Sequence, residues 1–117
     1  MKLTAIQIFT LMYCVLDDAW SIYKDEKLAI YLSEANPFVC DDESADPVVF
    51  NDFKKQYGTE RELNDYGYGF IVEYLAQLDS YYGDILSFFK TLVLDEYKKK
   101  AAQLLSFSKE QLKQKYI

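Results

Sequence analysis

Histidine is absent from this sequence of 117 residues, and its absence removes several common kinds of catalytic site. Ser-His-Asp and Cys-His nucleophiles both depend on an imidazole as general base. Most catalytic zinc sites and the Glu-x-x-His pairs of di-iron bundles need histidine ligands. Acid–base chemistry would have to rest on carboxylates alone. We therefore expect no metal ion, no cofactor and no enzymatic activity.

Arginine is almost as scarce, because Arg61 stands alone beside twelve lysines, and the formal net charge is −6. Proteins that bind nucleic acid present clustered Lys and Arg to the phosphates, so we expect no nucleic-acid partner. The charge is uneven: residues 1–96 carry 7 basic and 18 acidic side chains, net −11. Residues 97–117, the basic tail, carry 6 basic and 1 acidic, net +5. We expect this tail to pack on the acidic body of its own chain or of a symmetry mate rather than on a membrane.

Cysteine is limited to Cys14 and Cys40, and neither belongs to a CxxC pair. Two such cysteines in a chain with ample core material indicate a reducing compartment, with a Cys14–Cys40 disulfide as the lesser alternative. The apolar run at the N-terminus covers about fourteen residues, whereas a membrane-spanning helix needs ~20. It is preceded by one lysine and followed by no small-x-small cleavage site. We expect a cytoplasmic protein with an intact N-terminus.

Glycine and proline number only four and two, few for a β-sandwich with its many turns. Helix signals are frequent instead: capping boxes start at Thr4 and Ser108, Pro37 marks a stop, and Asp46-Pro47 marks a start. Residues 59–62 offer another capping box for a short helical turn. We predict an all-α fold without strands: one domain over residues 1–117, a compact bundle of five or six helices. The N-terminal helix, apolar on two faces, should lie at its centre.

A seven-residue repeat in the C-terminal half predicts one long helix from Tyr66 to Val93. A kink at Gly83-Asp84 is the alternative, because an interior glycine costs about 1 kcal/mol. The four apolar residues that repeat, called here the heptad stripe, are Ile71, Leu78, Ile85 and Leu92.

An acidic loop, residues 41–46, lies between the two prolines. Read as a calcium-binding loop from Asp42, it places Pro47 where glycine is needed and Phe53 where glutamate is needed, so the EF-hand pattern fails. A looser divalent-cation site in this loop is the weaker alternative. We interpret the loop first as a join between helices, with Asp46 as N-cap of the second.

Tyrosine is abundant, with eleven residues, and buried tyrosine hydroxyls need hydrogen-bond partners. Several stand beside acids or glycines, and tyrosine anchors rimmed by carboxylates suit a basic protein surface. We therefore predict a partner-binding surface formed by Asp41, Asp42, Glu43, Asp46, Tyr66, Tyr68, Tyr82 and Asp84.

The leading hypothesis is a non-enzymatic protein-binding module that occludes a basic protein partner. Small, acidic, tyrosine-rich bacterial proteins without histidine include toxin-neutralising immunity proteins, and this analogy of class gives the hypothesis its concrete form. The second hypothesis is a self-associating helical module, a homodimer that pairs through the heptad stripe of residues 71–92. The third is a carboxylate-dependent enzyme, which would hold two acids of raised pKa in a deep cleft.

Overall fold

The computed structural model describes residues 1–116, and most of them are helical. Eight α-helices are found in this range, more than the five or six predicted, so the all-α class is confirmed while the number of helices is not. In chain order the elements are β1 (Lys2–Thr4), α1 (Ala5–Tyr23), α2 (Glu26–Ala35), α3 (Pro47–Tyr57), β2 (Glu60–Glu62), a 3₁₀ turn (Asp65–Gly67), α4 (Tyr68–Gln77), α5 (Asp79–Tyr82), α6 (Ile85–Phe89), α7 (Leu94–Leu105) and α8 (Lys109–Tyr116).

Both terminal capping boxes form as predicted. The Thr4 hydroxyl accepts from the Gln7 backbone N–H at 3.3 Å, and the Gln7 side chain accepts from the Thr4 N–H at 2.8 Å. Before α8, Ser108 and Gln111 make the same reciprocal pair at 3.2 and 2.8 Å. Each box satisfies two N–H groups that the first turn of a helix leaves without partners. The start of α1 and of α8 is therefore set by local sequence.

The join between α2 and α3 also follows the prediction. Helix α2 ends at Ala35, two residues before Pro37, and α3 begins at Pro47. The Asp46 carboxylate caps α3 by accepting from the Val48 N–H at 3.1 Å. The loop returns to the end of α2, because the Asp46 N–H donates to the Glu34 carbonyl at 2.9 Å. This bond holds the start of α3 against the last turn of α2.

The prediction of one long helix over residues 66–93 is wrong, whereas the alternative, a break at Gly83-Asp84, is confirmed. The chain there divides into the 3₁₀ turn, α4, α5 and α6, and it leaves helical geometry at Gly83, with φ 80° and ψ −165°. That conformation is almost restricted to glycine. The seven-residue spacing survives these breaks because each short helix buries the same side against the core. Periodicity therefore located the buried face correctly and the helix ends incorrectly.

The prediction of a helical turn at residues 59–62 is also wrong, as is the expectation of no strand. Residues Glu60–Glu62 form β2, antiparallel to β1, and Leu3 lies opposite Arg61. The buried Tyr57 hydroxyl donates to the Leu3 carbonyl at 2.7 Å and ties α3 to this ribbon. The partner of β2 lies more than fifty residues earlier in the chain, so the capping-box pattern could not reveal the pairing.

Helix α1 is the central element, and ten of its residues are buried. Phe9 packs edge-on against Phe50 and Phe53 of α3, with ring centroids 5.1 Å apart in both pairs. Its length and composition would let it cross a membrane, but 56% of its most apolar 18-residue window is buried inside the protein. That degree of burial is typical of the core helix of a globular domain.

The heptad stripe faces this core. Ile71 and Ile85 are almost fully buried, and Leu78 and Leu92 are half-buried and packed against the same cluster. These side chains stabilise the protomer, and the helix that would carry a continuous seam is interrupted. A dimer seam formed by these residues, as the second hypothesis required, is not available on the surface.

Candidate functional site

The largest concentration of tyrosine and carboxylate groups around a single concavity lies where α2, α3, the end of α4 and α5 meet. We call this concavity, of about 570 Å³, the tyrosine groove. The side chains that line it are Tyr31, Glu34, Asp46, Val48, Val49, Asp52, Lys55, Gln56, Tyr74, Gln77, Leu78, Tyr81 and Tyr82.

Each wall of the tyrosine groove is placed by a local feature of the chain. Tyr31 and Glu34, three residues apart on α2, lie on neighbouring positions of one helix face. Asp46 is fixed by its role as the N-cap of α3. The short helix α5 carries Tyr81 and Tyr82 and stops at Gly83, which leaves both rings at the groove.

Tyr82 joins α5 to α2 across the groove. Its hydroxyl donates to Glu34 Oε2 at 2.6 Å, and its ring packs edge-on against Tyr31 with centroids 4.9 Å apart. Burial raises the pKa of Tyr82, and the hydrogen bond and negative charge of Glu34 raise it further. The neutral phenol is therefore the form that holds this contact.

Tyr81 forms an exposed rim beside this pair. Its side chain is 82% exposed, although its ring still packs edge-on against Tyr82 at 4.8 Å. Val48 on the opposite rim is 61% exposed. Tyrosine is enriched among the residues that contribute most to protein interfaces, so Tyr81 is the stronger candidate contact of the two.

The floor of the groove holds two buried phenols. Burial raises the pKa of Tyr74 to about 12, although the neighbouring Tyr31 hydroxyl lowers it in part. Burial and the nearby Tyr74 hydroxyl raise the pKa of Tyr31. The Tyr31 hydroxyl nevertheless has no hydrogen-bond partner of acceptable geometry within residues 1–116. The two hydroxyls thus lie close together without a well-formed bond.

The charge of the groove is uncompensated. Glu34, Asp46 and Asp52 contribute carboxylates and Lys55 is the single cation in the lining, which leaves a formal charge of −2. In the described part of the chain none of these carboxylates takes part in an ion pair. A negative, aromatic concavity of this kind attracts cationic groups.

Only part of the predicted partner-binding surface lies in this groove. Of the eight predicted residues, Asp46 and Tyr82 line it. Asp41 instead pairs with Lys109 of the basic tail at 3.3 Å, and Glu43 is exposed outside the groove. Asp42 lines a different, mainly apolar cavity between α1, α7 and α8.

The remaining predicted residues lie elsewhere. Tyr68 is half-buried and packs against Phe89 and Tyr97, with centroids 5.6 and 5.4 Å away. Tyr66 is half-buried, and its carbonyl accepts from the Tyr97 hydroxyl at 2.8 Å. Asp84 caps α6 by accepting from the Ser87 N–H at 3.1 Å, at the edge of another open cavity. Thus the eight residues do not form one continuous cavity lining.

The basic tail packs on the acidic body of its own chain, as expected. Three of its lysines make ion pairs with the body, and each pair joins elements far apart in sequence. These pairs are Lys98–Asp65 at 3.5 Å, Lys100–Asp18 at 2.9 Å and Lys109–Asp41 at 3.3 Å. Intramolecular pairing therefore neutralises part of the body, including Asp41, and leaves the carboxylates of the groove available.

Sequence reasoning missed Tyr31, Glu34, Asp52 and Tyr74 as site residues. The one readable signal was local: the Tyr-x-x-Glu spacing in α2 puts a phenol and a carboxylate on one face. Nothing in the sequence indicates that this face meets α5. Tyr81 is next to the predicted site residue Tyr82 in the sequence, but its exposure became visible only in the fold.

A cleft holding two acids, as the enzyme hypothesis requires, is not formed by the adjacent Asp17 and Asp18. Burial and then the charge of Asp18 raise the pKa of Asp17, which lines a small pocket between α1 and α2. Asp18 points instead to Lys100 and to the Tyr116 hydroxyl, 3.2 Å away. Within residues 1–116 no group of three or more potential ligands is arranged to hold a metal ion, and this includes the acidic loop.

Comparison with known proteins adds no further constraint on this site. No protein-family model, no curated protein and no solved structure matches this chain.

Proposed function

We propose that this protein is a non-enzymatic binding protein that docks a basic protein partner on the tyrosine groove and thereby covers the partner's functional surface. The observation that carries the proposal is the combination of unpaired carboxylates and tyrosine rings around one open groove. Carboxylates would steer a basic surface towards the groove, and the exposed rings would supply contact area on docking.

The distribution of ion pairs supports this choice of surface. An acid that already pairs with a lysine of its own chain must lose that pair before it can bind a partner. Asp41 and Asp18 are paired in this way, whereas Glu34, Asp46 and Asp52 are not. The groove can therefore accept an external cation without first losing an ion pair of its own chain.

The concrete form of the proposal is a toxin-neutralising protein of the immunity type. Such a protein needs no catalytic group, since it acts by covering the toxin, and it must recognise a surface of opposite charge. A net charge of −6 and an exposed aromatic rim suit that task. Two free cysteines, one buried and one exposed, suit the cytoplasmic location that we propose with it.

The test is affinity capture from lysate with the wild type and three variants at low and high salt. Asp52→Lys reverses an exposed, unpaired charge in the groove. Asp95→Lys makes the same change in the first turn of α7, outside the groove, and is the matched control. Glu43→Lys tests the acidic loop.

We expect a basic protein to be retained in stoichiometric amount by the wild type and by Asp95→Lys at low salt. Asp52→Lys should lose it, and high salt should weaken it in all forms because exposed charge pairs are screened. Equal retention by all three variants would contradict docking on the groove. Loss through Glu43→Lys alone would transfer the function to the acidic loop.

A further inference from the structure

Helix α8 is attached to the rest of the fold by few side chains. Six of its eight residues are exposed, and only Leu112 and Tyr116, about one turn apart, are buried. An isolated helix of this length is not stable in water, so α8 depends on these contacts for its structure. We therefore expect it to detach more easily than the helices that build the core.

The polar contacts of α8 lie at its two ends. At the start, Lys109 Nζ donates to the Cys40 carbonyl at 3.0 Å and pairs with the Asp41 carboxylate at 3.3 Å. At the end, the Tyr116 hydroxyl donates to Asp18 Oδ2 at 3.2 Å. The Asp41 side chain is fully exposed, and an exposed ion pair contributes little to stability. Of these contacts, the Tyr116 bond should therefore hold α8 most strongly.

Packing beneath α8 is incomplete. An open cavity of about 290 Å³ lies between α1, α7 and α8, and most of its lining is apolar. Leu112 of α8 and Leu11 of α1 both border this cavity. Side chains that border a cavity make fewer atomic contacts than those of a close-packed core. The cavity thus weakens the apolar attachment of α8 to α1.

Cys14 lies beneath α8 on one face of α1. Leu11, Cys14 and Asp18 follow one another at spacings of three and four residues, which aligns them along that face. Leu112 borders the cavity at Leu11 and Tyr116 bonds to Asp18, so the fully buried Cys14 lies between the two attachments of α8. Burial raises the pKa of Tyr116, and the nearby Cys14 raises it further, in agreement with this placement.

We propose that α8 is a detachable strap, which leaves α1 while the rest of the fold stays intact and thereby uncovers the Cys14 thiol and the apolar cavity. Residues 106–108, between α7 and α8, are the segment about which it turns. Opening also breaks the Lys109–Asp41 pair, so one movement exposes a thiol and returns an unpaired carboxylate to the acidic body. This inference does not depend on the docking of a partner on the tyrosine groove.

The experiment is alkylation of the full chain with iodoacetamide under native conditions, with each modified cysteine assigned by mass spectrometry. Cys40 is exposed and gives the rate of an accessible thiol in the same sample, whereas Cys14 is buried and reacts only when it is uncovered. The reagent is kept dilute enough for the rate to stay proportional to its concentration. We expect Cys14 to react slowly, at a rate that changes little with low concentrations of urea, because the opening of one short helix exposes little surface.

Two variants weaken the strap, and a third is the control. Leu112→Ala removes the apolar attachment and should speed the Cys14 reaction by roughly tenfold or more. Tyr116→Phe removes the bond to Asp18 and should speed it by roughly fivefold. Ile71→Val removes one buried methyl group from α4, away from α8. It should destabilise the whole fold and leave the Cys14 rate unchanged.

The pattern across these measurements separates local from global opening. Acceleration by both α8 variants, with an unchanged rate in Ile71→Val, would support the strap. A Cys14 rate that follows urea with the full slope of global unfolding, or that Ile71→Val raises in proportion to its loss of stability, would overturn it. So would an unchanged rate in both α8 variants, since α8 would then not cover the thiol. If Leu112→Ala does not fold, Tyr116→Phe and the urea dependence of the wild type decide the question.

Discussion

At the scale of single residues, the hydroxyl partners of buried tyrosines separate structural from functional positions. Tyr57 donates to the Leu3 carbonyl at 2.7 Å, and Tyr97 donates to the Tyr66 carbonyl at 2.8 Å. Each bond joins distant parts of the chain and satisfies the phenol. Tyr31, which is equally buried, has no such partner in the described range. Its hydroxyl does not contribute to folding in the way that the other two do.

The substitutions Tyr31→Phe and Tyr57→Phe should therefore have opposite effects on stability. Removal of an unpartnered buried hydroxyl should leave the free energy of unfolding unchanged or raise it by about 1 kcal/mol. Tyr57→Phe should lower it by about 1–2 kcal/mol, since the buried Leu3 carbonyl loses a donor. Urea unfolding followed by circular dichroism measures both. Equal destabilisation by the two variants would show that Tyr31 has a structural hydrogen bond.

The sequence revealed only some residues of the groove, for a physical reason. Asp46 was readable because a cap before proline is a local signal, and Tyr82 because it stands next to Gly83 and near Asp84. Glu34 and Asp52 look like ordinary solvated helix residues. They come together only because α2 and α3 converge. The spacing of side chains along one helix does not predict which other helix packs beside it.

At the scale of elements, the sequence predicted helix starts directly, whereas it offered the break at Gly83 only as an alternative to a continuous helix. Capping boxes and an Asp-Pro start are formed by residues within one turn of each other, so the sequence displays them directly. At Gly83 two signals conflict: the glycine favours a break, whereas the hydrophobic repeat continues on both sides of it and favours a continuous helix. The repeat marks the positions that are buried against the core. Several short helices can bury these positions as well as one long helix can.

Gly83 and Gly69 form a matched pair for testing this interruption. At Gly83, φ is 80° and an added Cβ would lie 2.8 Å from the Lys27 side chain. Lys27 can move, but the backbone strain remains, so Gly83→Ala should lower the free energy of unfolding by about 1–3 kcal/mol. Gly69 lies in α4, and nothing is within 4 Å of its added Cβ. Gly69→Ala should raise stability by roughly 0.5–1 kcal/mol.

Thermal unfolding of the two variants in parallel measures this contrast. Gly83→Ala should also weaken partner binding, since Gly83 directly follows the two tyrosines of the groove. If Gly83→Ala stabilised the protein as much as Gly69→Ala, residues 79–89 would be capable of a continuous helix, contrary to this account.

At the scale of the whole molecule, the absence of histidine and the buried tyrosines determine how stability depends on pH. Burial raises the pKa of Tyr97 above that of a free phenol. It does the same for Tyr116, where the charges of Cys14 and Asp18 add to the effect. The pKa of Tyr74 rises to about 12. These phenols are therefore still protonated in the folded protein when those of the unfolded chain have begun to ionise.

The sign of the effect follows from proton binding. Above about pH 10 the unfolded state binds fewer protons than the folded state, so the free energy of unfolding falls as pH rises. The rise at Tyr74 alone corresponds to roughly 2–3 kcal/mol once both states are ionised. Without histidine, stability should be nearly constant between about pH 6 and 8. It should begin to fall above about pH 8.5, because burial also raises the pKa of the Cys14 thiol and the unfolded chain ionises there first.

Urea unfolding at a series of pH values, with tyrosinate absorbance recorded in parallel, checks this prediction. Unfolding and the main increase in absorbance should occur together above about pH 10. A stepwise ionisation of most tyrosines in a protein that stays folded would contradict the burial described here.

The most direct test of the central claim is site-specific photo-crosslinking in the host cell. A photoreactive phenylalanine derivative is placed at position 81, where Tyr81 is 82% exposed on the rim of the groove, or at position 22, where Ile22 is 75% exposed outside it. We expect one dominant adduct with a basic protein from position 81, lost on Asp52→Lys, and none from position 22. An adduct from position 22 alone, or an adduct at position 81 with a second copy of this chain, would contradict it.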